Sequence, residues 1–176
     1  MKVDVKWWVG TIIALFGTVA AIAAFPEGRC LLRLERKCRL DYSHLEKYLK
    51  KGQQEWKQAE QETTKILLQA AEAEKEQKFD PQSWVNIDCS VLKKINNYWG
   101  ETSNDQFGFK KQREIWEKNK DNFPNNVGWR QGENWLNYPQ DIIENNAPPG
   151  HFPAWTGFNG SGYVNAGPQR FKECSL

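Results

Sequence analysis

His151 carries an imidazole that could ligate a metal or a haem iron. It stands in Gly150-His151-Phe152-Pro153, where a loop histidine making one hydrogen bond fits equally well. Phe107-Gly108-Phe109 and Val127-Gly128-Trp129-Arg130 repeat the same grammar, with aromatic side chains beside glycines. Large rings at element ends can build a concave apolar surface, and glycine lets the backbone approach a flat ligand. An aromatic core joined by glycine turns produces the same pattern. Both readings stand on the residues alone.

Reactive chemistry is sparse. Glu60, Glu62 and Glu74 have the spacing of solvated helix faces, and no nucleophile–base pair stands out. Gly157-x-x-Gly160-x-Gly162 has the wrong order for a dinucleotide fingerprint and lacks a flanking strand and helix. Asn159-Gly160-Ser161 matches a glycosylation sequon, which is silent in a cytoplasmic domain. Cysteines at 30, 38, 89 and 174 form no C-x-x-C pair, and only His44 and His151 accompany them, which argues against structural zinc. The cysteines read as reduced, with Cys89 and Cys174 buried. The expectation is a protein that is not an enzyme.

The elements needed to position these residues are helical. A helix should begin at Asp41 or Ser43, through a Ser43-x-x-Glu46 capping box, and turn Leu45, Tyr48 and Leu49 inward. Trp56, Ala59, Thr63, Leu67 and Ala70 recur at helical spacing in a segment from about Gln53 to Gln77, ended by Asp80-Pro81. Val91 to Trp99 predicts another helix, with Gly100 placed to cap it, and Lys110 to Trp116 a further one. Beyond Asn119 the chain turns to Asn, Gly and Pro, so short helices and long loops should follow. No strand-like alternation persists. The fold class is mainly α.

Length and composition set the frame. The chain has 176 residues and a net charge of +2, a balance without the electrostatic footprint of a nucleic-acid binder. Two of its nine tryptophans, Trp7 and Trp8, open an uncharged apolar run that ends at Phe25. That run is long enough to span the roughly 30 Å bilayer core. Arg29, Arg33, Arg36, Lys37 and Arg39 follow it, against Lys2 and Lys6 before it. This asymmetry predicts a retained anchor, with the remainder on the cytoplasmic or stromal face. A cleaved signal ending near Ala21-Ile22-Ala23 is the rival. The expected organisation is an anchor over residues 1–28, a basic juxtamembrane segment over 29–40 and a helical domain over 41–176.

Five motifs in order resemble one family. Trp56-Lys-Gln-Ala59-Glu60-Gln-Glu62-Thr63 is similar to its W-x-x-A-D-x-E-T. The run from Ile87 to Trp99 is similar to P-C-x-D-L-x-x-I-D-x-L-W, and Phe107 to Gln112 to F-G-F-S-V-Q. Val-Gly-Trp-Arg at 127–130 matches VGWR, and Gly-His-Phe-Pro at 150–153 resembles GHLP. The family is the genomes-uncoupled-four type, helical tetrapyrrole-binding regulators of magnesium chelatase. The resemblance runs from about Tyr42 to the carboxy terminus, outside the apolar run.

It implies a cupped-hand domain that holds protoporphyrin IX or its magnesium complex. It also implies a contact with the large subunit of magnesium chelatase. Phe107, Phe109, Trp129, Trp135, Phe152 and Pro153 are expected at the palm, supported by Leu92 and Ile95. Arg130 and His151 are expected at its polar rim, with Arg130 facing propionates. The chain departs from the pattern at Asn96, where the family has Asp, and at Lys110-Lys111, where it has Ser-Val. A protein-interaction module without pigment is the alternative.

Overall fold

The computed structural model describes residues 40–73, 81–137, 140–154 and 164–176. Residues 40–176 form one compact unit. The apolar run Trp7–Phe25, the basic segment after it and Cys30 and Cys38 lie outside the described residues. So does the Gly157–Gly162 segment. The long helix expected to reach about Gln77 ends earlier, at Ala71, where Glu72 takes the left-handed conformation that closes a helix. Among the described residues no helix is long and apolar enough to cross a membrane.

The architecture is mainly α-helical, as its periodicity predicts. Helix α1 (Ser43–Lys50) buries Leu45 and Leu49 against α2 (Trp56–Ala71), after a 3-10 turn at Gln53–Glu55. The capping box does not form. Ser43 is already helical, and the Asp41 carboxylate takes its N–H at 2.9 Å, so the residue two positions earlier does the capping. Helix α2 buries Ala59, Glu60, Thr63, Ile66, Leu67 and Ala71, one apolar stripe interrupted by two polar groups. The short α3 (Pro81–Asn86) follows, with Trp84 sealed inward.

Helix α4 (Cys89–Ser103) starts on Asp88, whose carboxylate accepts the Ser90 N–H at 2.8 Å. It runs through Gly100 and ends at Asn104, which adopts the left-handed conformation that a C-terminal cap requires. Gly100 is therefore interior. Its missing Cβ leaves room for Asp105, whose Oδ1 would lie 3.1 Å from a Cβ there. Helix α5 (Phe109–Lys118), a single turn α6 (Phe123–Asn126) and a closing α7 (Ala166–Glu173) complete the helices among the described residues. Between α6 and α7 lies one element that the sequence did not announce. It is a hairpin of β1 (Arg130–Gln131) and β2 (Asn134–Trp135), with Arg130 opposite Trp135.

Cys89 and Cys174 are joined in a disulfide, with Cα atoms 5.2 Å apart. This corrects the reading of both as reduced. The two positions are 85 residues apart, so nothing local in the sequence signals the pairing; folding of α7 onto α5 and α3 brings them together. The bond ties the first residue of α4 to the turn that follows α7.

Candidate functional site

The motifs that carried the family resemblance converge, and they do so mainly through each other's backbones. Gly108 N–H donates to Phe152 O at 2.9 Å, and Gly150 N–H to Gln106 O at 2.9 Å. The buried Gln112 amide donates to Gly150 O at 3.0 Å and to Pro153 O at 2.7 Å. Ala154 N–H is accepted by the fully buried Glu60 carboxylate at 2.8 Å. Close approach explains two of the glycines. At Gly108 (φ +107°) a Cβ would sit 2.9 Å from Asn96 Oδ1, and at Gly150 (φ +77°) 2.8 Å from Ile115 Cδ1. Thus Gln112 and Glu60, polar residues absent from the expected palm, clamp the 150–154 segment between α2 and α5.

The aromatic residues fall into separate clusters. Trp99 stacks on Phe152, with centroids 5.2 Å apart and planes at 6°, and Phe107 meets Phe152 edge-on at 5.2 Å. Phe109 stacks on Phe171 at 4.5 Å, which in turn meets Trp84 edge-on at 5.2 Å. Trp129 packs edge-on against Phe123 at 5.3 Å and donates its indole N–H to His151 O at 2.8 Å. Leu92, Ile95, Phe107, Phe109, Trp129, Phe152 and Pro153 are all buried. They share an interior, and neither of the two cavities considered below touches them.

His151, expected at a polar rim, is fully buried. Its Nδ1 lies 2.7 Å from Val127 O and its Nε2 accepts the Ile143 N–H at 3.1 Å, so the ring is a neutral Nδ1–H tautomer bridging two loops. Burial lowers its pKa below the ordinary value, and the hydrogen bond to Val127 partly offsets this. The folded state therefore resists protonation that the unfolded chain accepts. Stability is full above the unfolded value near 6.5 and falls as pH drops below it. The limiting slope is about 1.4 kcal/mol per pH unit. Urea melts between pH 7.5 and 5 should show this loss, and His151→Gln should flatten the profile. An unchanged profile in the variant would remove His151 as its cause.

Two expected residues stay accessible, Arg130 and Trp135, both only partly buried. The hairpin register sets the Arg130 guanidinium over the Trp135 ring, 5.7 Å from its centroid, and Arg130 Nε reaches Asn125 Oδ1 at 3.5 Å. Trp129 O receives the Leu136 N–H at 3.0 Å, which anchors the hairpin to the core. One further apolar residue was missed. Val85 on α3 is 58% exposed, beside the buried Trp84. Its only sequence signal is an aliphatic residue on the outer face of a short helix.

Among the described residues no group of three or more His, Cys, Asp or Glu side chains could hold a metal. One cavity of about 780 Å³ is lined by Lys51, Gln53, Gln54, Ile142, Glu144 and Asn145, a mostly polar wall. A second, of about 570 Å³, lies where α4, α5 and α7 meet.

The GUN4-like family model matches residues 35–167. Among solved structures the chain is similar to GUN4 from Chlamydomonas reinhardtii at 30% identity and TM-score 0.64, covering 75% of this chain and 88% of that one. It is also similar to ligand-free Arabidopsis thaliana GUN4 at 26% identity and TM-score 0.59, covering 72% of this chain and 90% of that one. No curated protein matches.

Proposed function

The chain belongs to the GUN4-like family, and we propose on that premise that it is a non-enzymatic tetrapyrrole-binding protein that regulates magnesium chelatase or tetrapyrrole signalling in chlorophyll biosynthesis. The ligand we favour is protoporphyrin IX or its magnesium complex. The observation that carries this reading is the family match over most of the compact domain, joined to a fold built by the family's own motifs.

The accessible residues suit such a ligand. A macrocycle is flat and apolar over its faces, and burying it is worth about 25 cal/mol per Å² of apolar area. Trp135 offers apolar surface beside Arg130, which offers a cation for propionates. Magnesium held in the ring would need only an oxygen ligand, most simply water. Leu92, Ile95, Phe107, Phe109, Trp129, His151, Phe152 and Pro153 then act as buried scaffold behind that surface.

Trp135→Ala and Arg130→Ala are the informative pair. Removing a ring that stacks on the ligand should weaken porphyrin binding by about 1–3 kcal/mol, the scale of aromatic stacking on flat bases. Circular dichroism should stay unchanged. Normal affinity in both folded variants would move the ligand away from the hairpin. Co-purification separates the alternative: a colourless preparation with a stoichiometric protein partner would favour an interaction module over a pigment binder.

Membrane attachment through residues 7–25 belongs to the same proposal, since a tether raises local concentration near membrane-bound steps. The basic residues after the run favour a cytoplasmic or stromal domain. The Cys89–Cys174 disulfide pulls the other way, because such bonds persist in oxidising compartments. Protease protection combined with thiol trapping tests the orientation. A protease-accessible domain on the cytoplasmic face of intact membranes is the expected result. A shielded domain would reverse the orientation, and a soluble form starting near Ala24 would make the run a signal peptide.

A further inference from the structure

The second cavity is a basic concavity that neither Arg130 nor Trp135 lines. Lys93, Asn96 and Asn97 of α4, Lys110 and Arg113 of α5, Lys172 of α7 and Ser175 and Leu176 after it line the cavity, so three helices contribute four cationic side chains and no acidic one. Lys93 and Lys110 make no ion pair among the described residues. Lys172 is paired with Glu117 at 3.4 Å, and Glu117 lies 3.8 Å from Arg113. The atom in that contact is the Arg113 Nε, which is too far from the carboxylate for a hydrogen bond and has no other acceptor among the described residues. Helix α5 also opens here with no acidic residue in its first turn. Like charges gathered in one hollow repel one another, and a buried guanidinium nitrogen without an acceptor is costly.

Two positions where this chain leaves the family motifs meet in this hollow. Asn96 replaces a carboxylate and Lys110 replaces a serine, so both changes shift the charge in the same direction. Asn96 has a structural duty as well, since its Oδ1 accepts the Lys110 N–H at 2.9 Å and so fixes the start of α5 against α4. The two departures are 14 residues apart in the chain but adjacent in space.

We propose that this concavity binds a phosphate group, carried either by a small soluble phosphate or by an anionic lipid headgroup. An oxyanion with several acceptors suits an arginine fork flanked by lysine point charges better than a single carboxylate does. The inference is independent of tetrapyrrole binding and stands or falls separately.

The test is calorimetric titration of the full chain, in a neutral detergent, with pyrophosphate as the free phosphate. Glycerophosphoglycerol, the soluble headgroup of an anionic lipid, is the second probe. At least one should bind saturably with about one equivalent, and added salt should weaken it. Stronger binding of glycerophosphoglycerol assigns a lipid source, and stronger binding of pyrophosphate a free one. The double variant K93Q/K110Q should lose at least about tenfold in affinity. Lys110→Arg should retain binding, and Lys118→Gln, on the same helix but outside the hollow, should bind normally. Both replaced lysines are exposed, so thermal melts should match the parent, and the single variants serve if the double one unfolds. No saturable binding of either probe overturns the proposal. So does a folded K93Q/K110Q variant that binds as the parent does.

Discussion

Replacing Trp99 by alanine is expected to cost about 3–5 kcal/mol of folding stability, a large share of the roughly 5–15 kcal/mol that a domain holds in total. The indole is fully buried and lies flat on Phe152, with Phe107 edge-on at 6.2 Å. Its N–H donates to the Thr63 hydroxyl at 3.0 Å, and that hydroxyl in turn donates to Ala59 O at 2.8 Å. One side chain therefore joins α4, α2 and the 150–154 segment. Truncation leaves a cavity where the surrounding rings are held by the Gln112 and Glu60 clamps, so collapse into the space is restricted. The melting temperature should fall by on the order of 10 °C or more. Trp99→Phe keeps the stacking and should lose much less. A drop of only a degree or two for alanine would mean that these rings do not hold the domain together.

Opening the Cys89–Cys174 bond is the second large effect. It closes a loop across 85 residues, and chain-entropy arguments assign such a cross-link about 4.5 kcal/mol, acting mainly on the unfolded ensemble. Without it α7 still has the Phe171 contacts to Phe109 and Trp84, and Arg170 still donates to Ile87 O at 3.0 Å. The reduced domain should therefore stay folded but melt at a clearly lower denaturant concentration. The Cys89→Ser variant isolates this bond from the other cysteines. Equal denaturation midpoints for the variant and the oxidised parent would show that the bond does not form or does not matter.

Much of the helical frame was legible because it rests on periodicity. The stripe from Trp56 to Ala70 and the run from Val91 to Trp99 correspond to α2 and α4, and both bury the expected face. What escaped has a physical reason in each case. The Gly100 stop failed because a small residue was wanted inside α4, against Asp105, and Asn104 supplied the left-handed turn. The hairpin escaped because strands of two residues have no alternation to read. His151 looked like a rim residue because a Gly-His-Phe-Pro loop says nothing about whether it turns inward. Two loops close over it, and its two ring nitrogens satisfy backbone groups from both.

The candidate site shows the same division. Spacing does not distinguish a ring that faces a ligand from one that supports the wall behind it. Phe107 and Phe152 are packed on each other and on Trp99, while Trp135 is left partly open under Arg130. Gln112 and Glu60 gave no sign of their role, because a polar residue on a helix usually faces water. Here they satisfy the backbone of a loop that would otherwise be buried without partners.

The most direct measurement is titration of the full chain with protoporphyrin IX and with its magnesium complex, following tryptophan fluorescence. Quenching should saturate at one equivalent for at least one of them, with a dissociation constant below about 100 μM, equivalent to roughly 5.5 kcal/mol. Trp135→Ala should weaken that binding while its helical spectrum stays intact. Absence of saturable quenching by either porphyrin, in a chain with the expected helical spectrum and melting transition, would contradict tetrapyrrole binding.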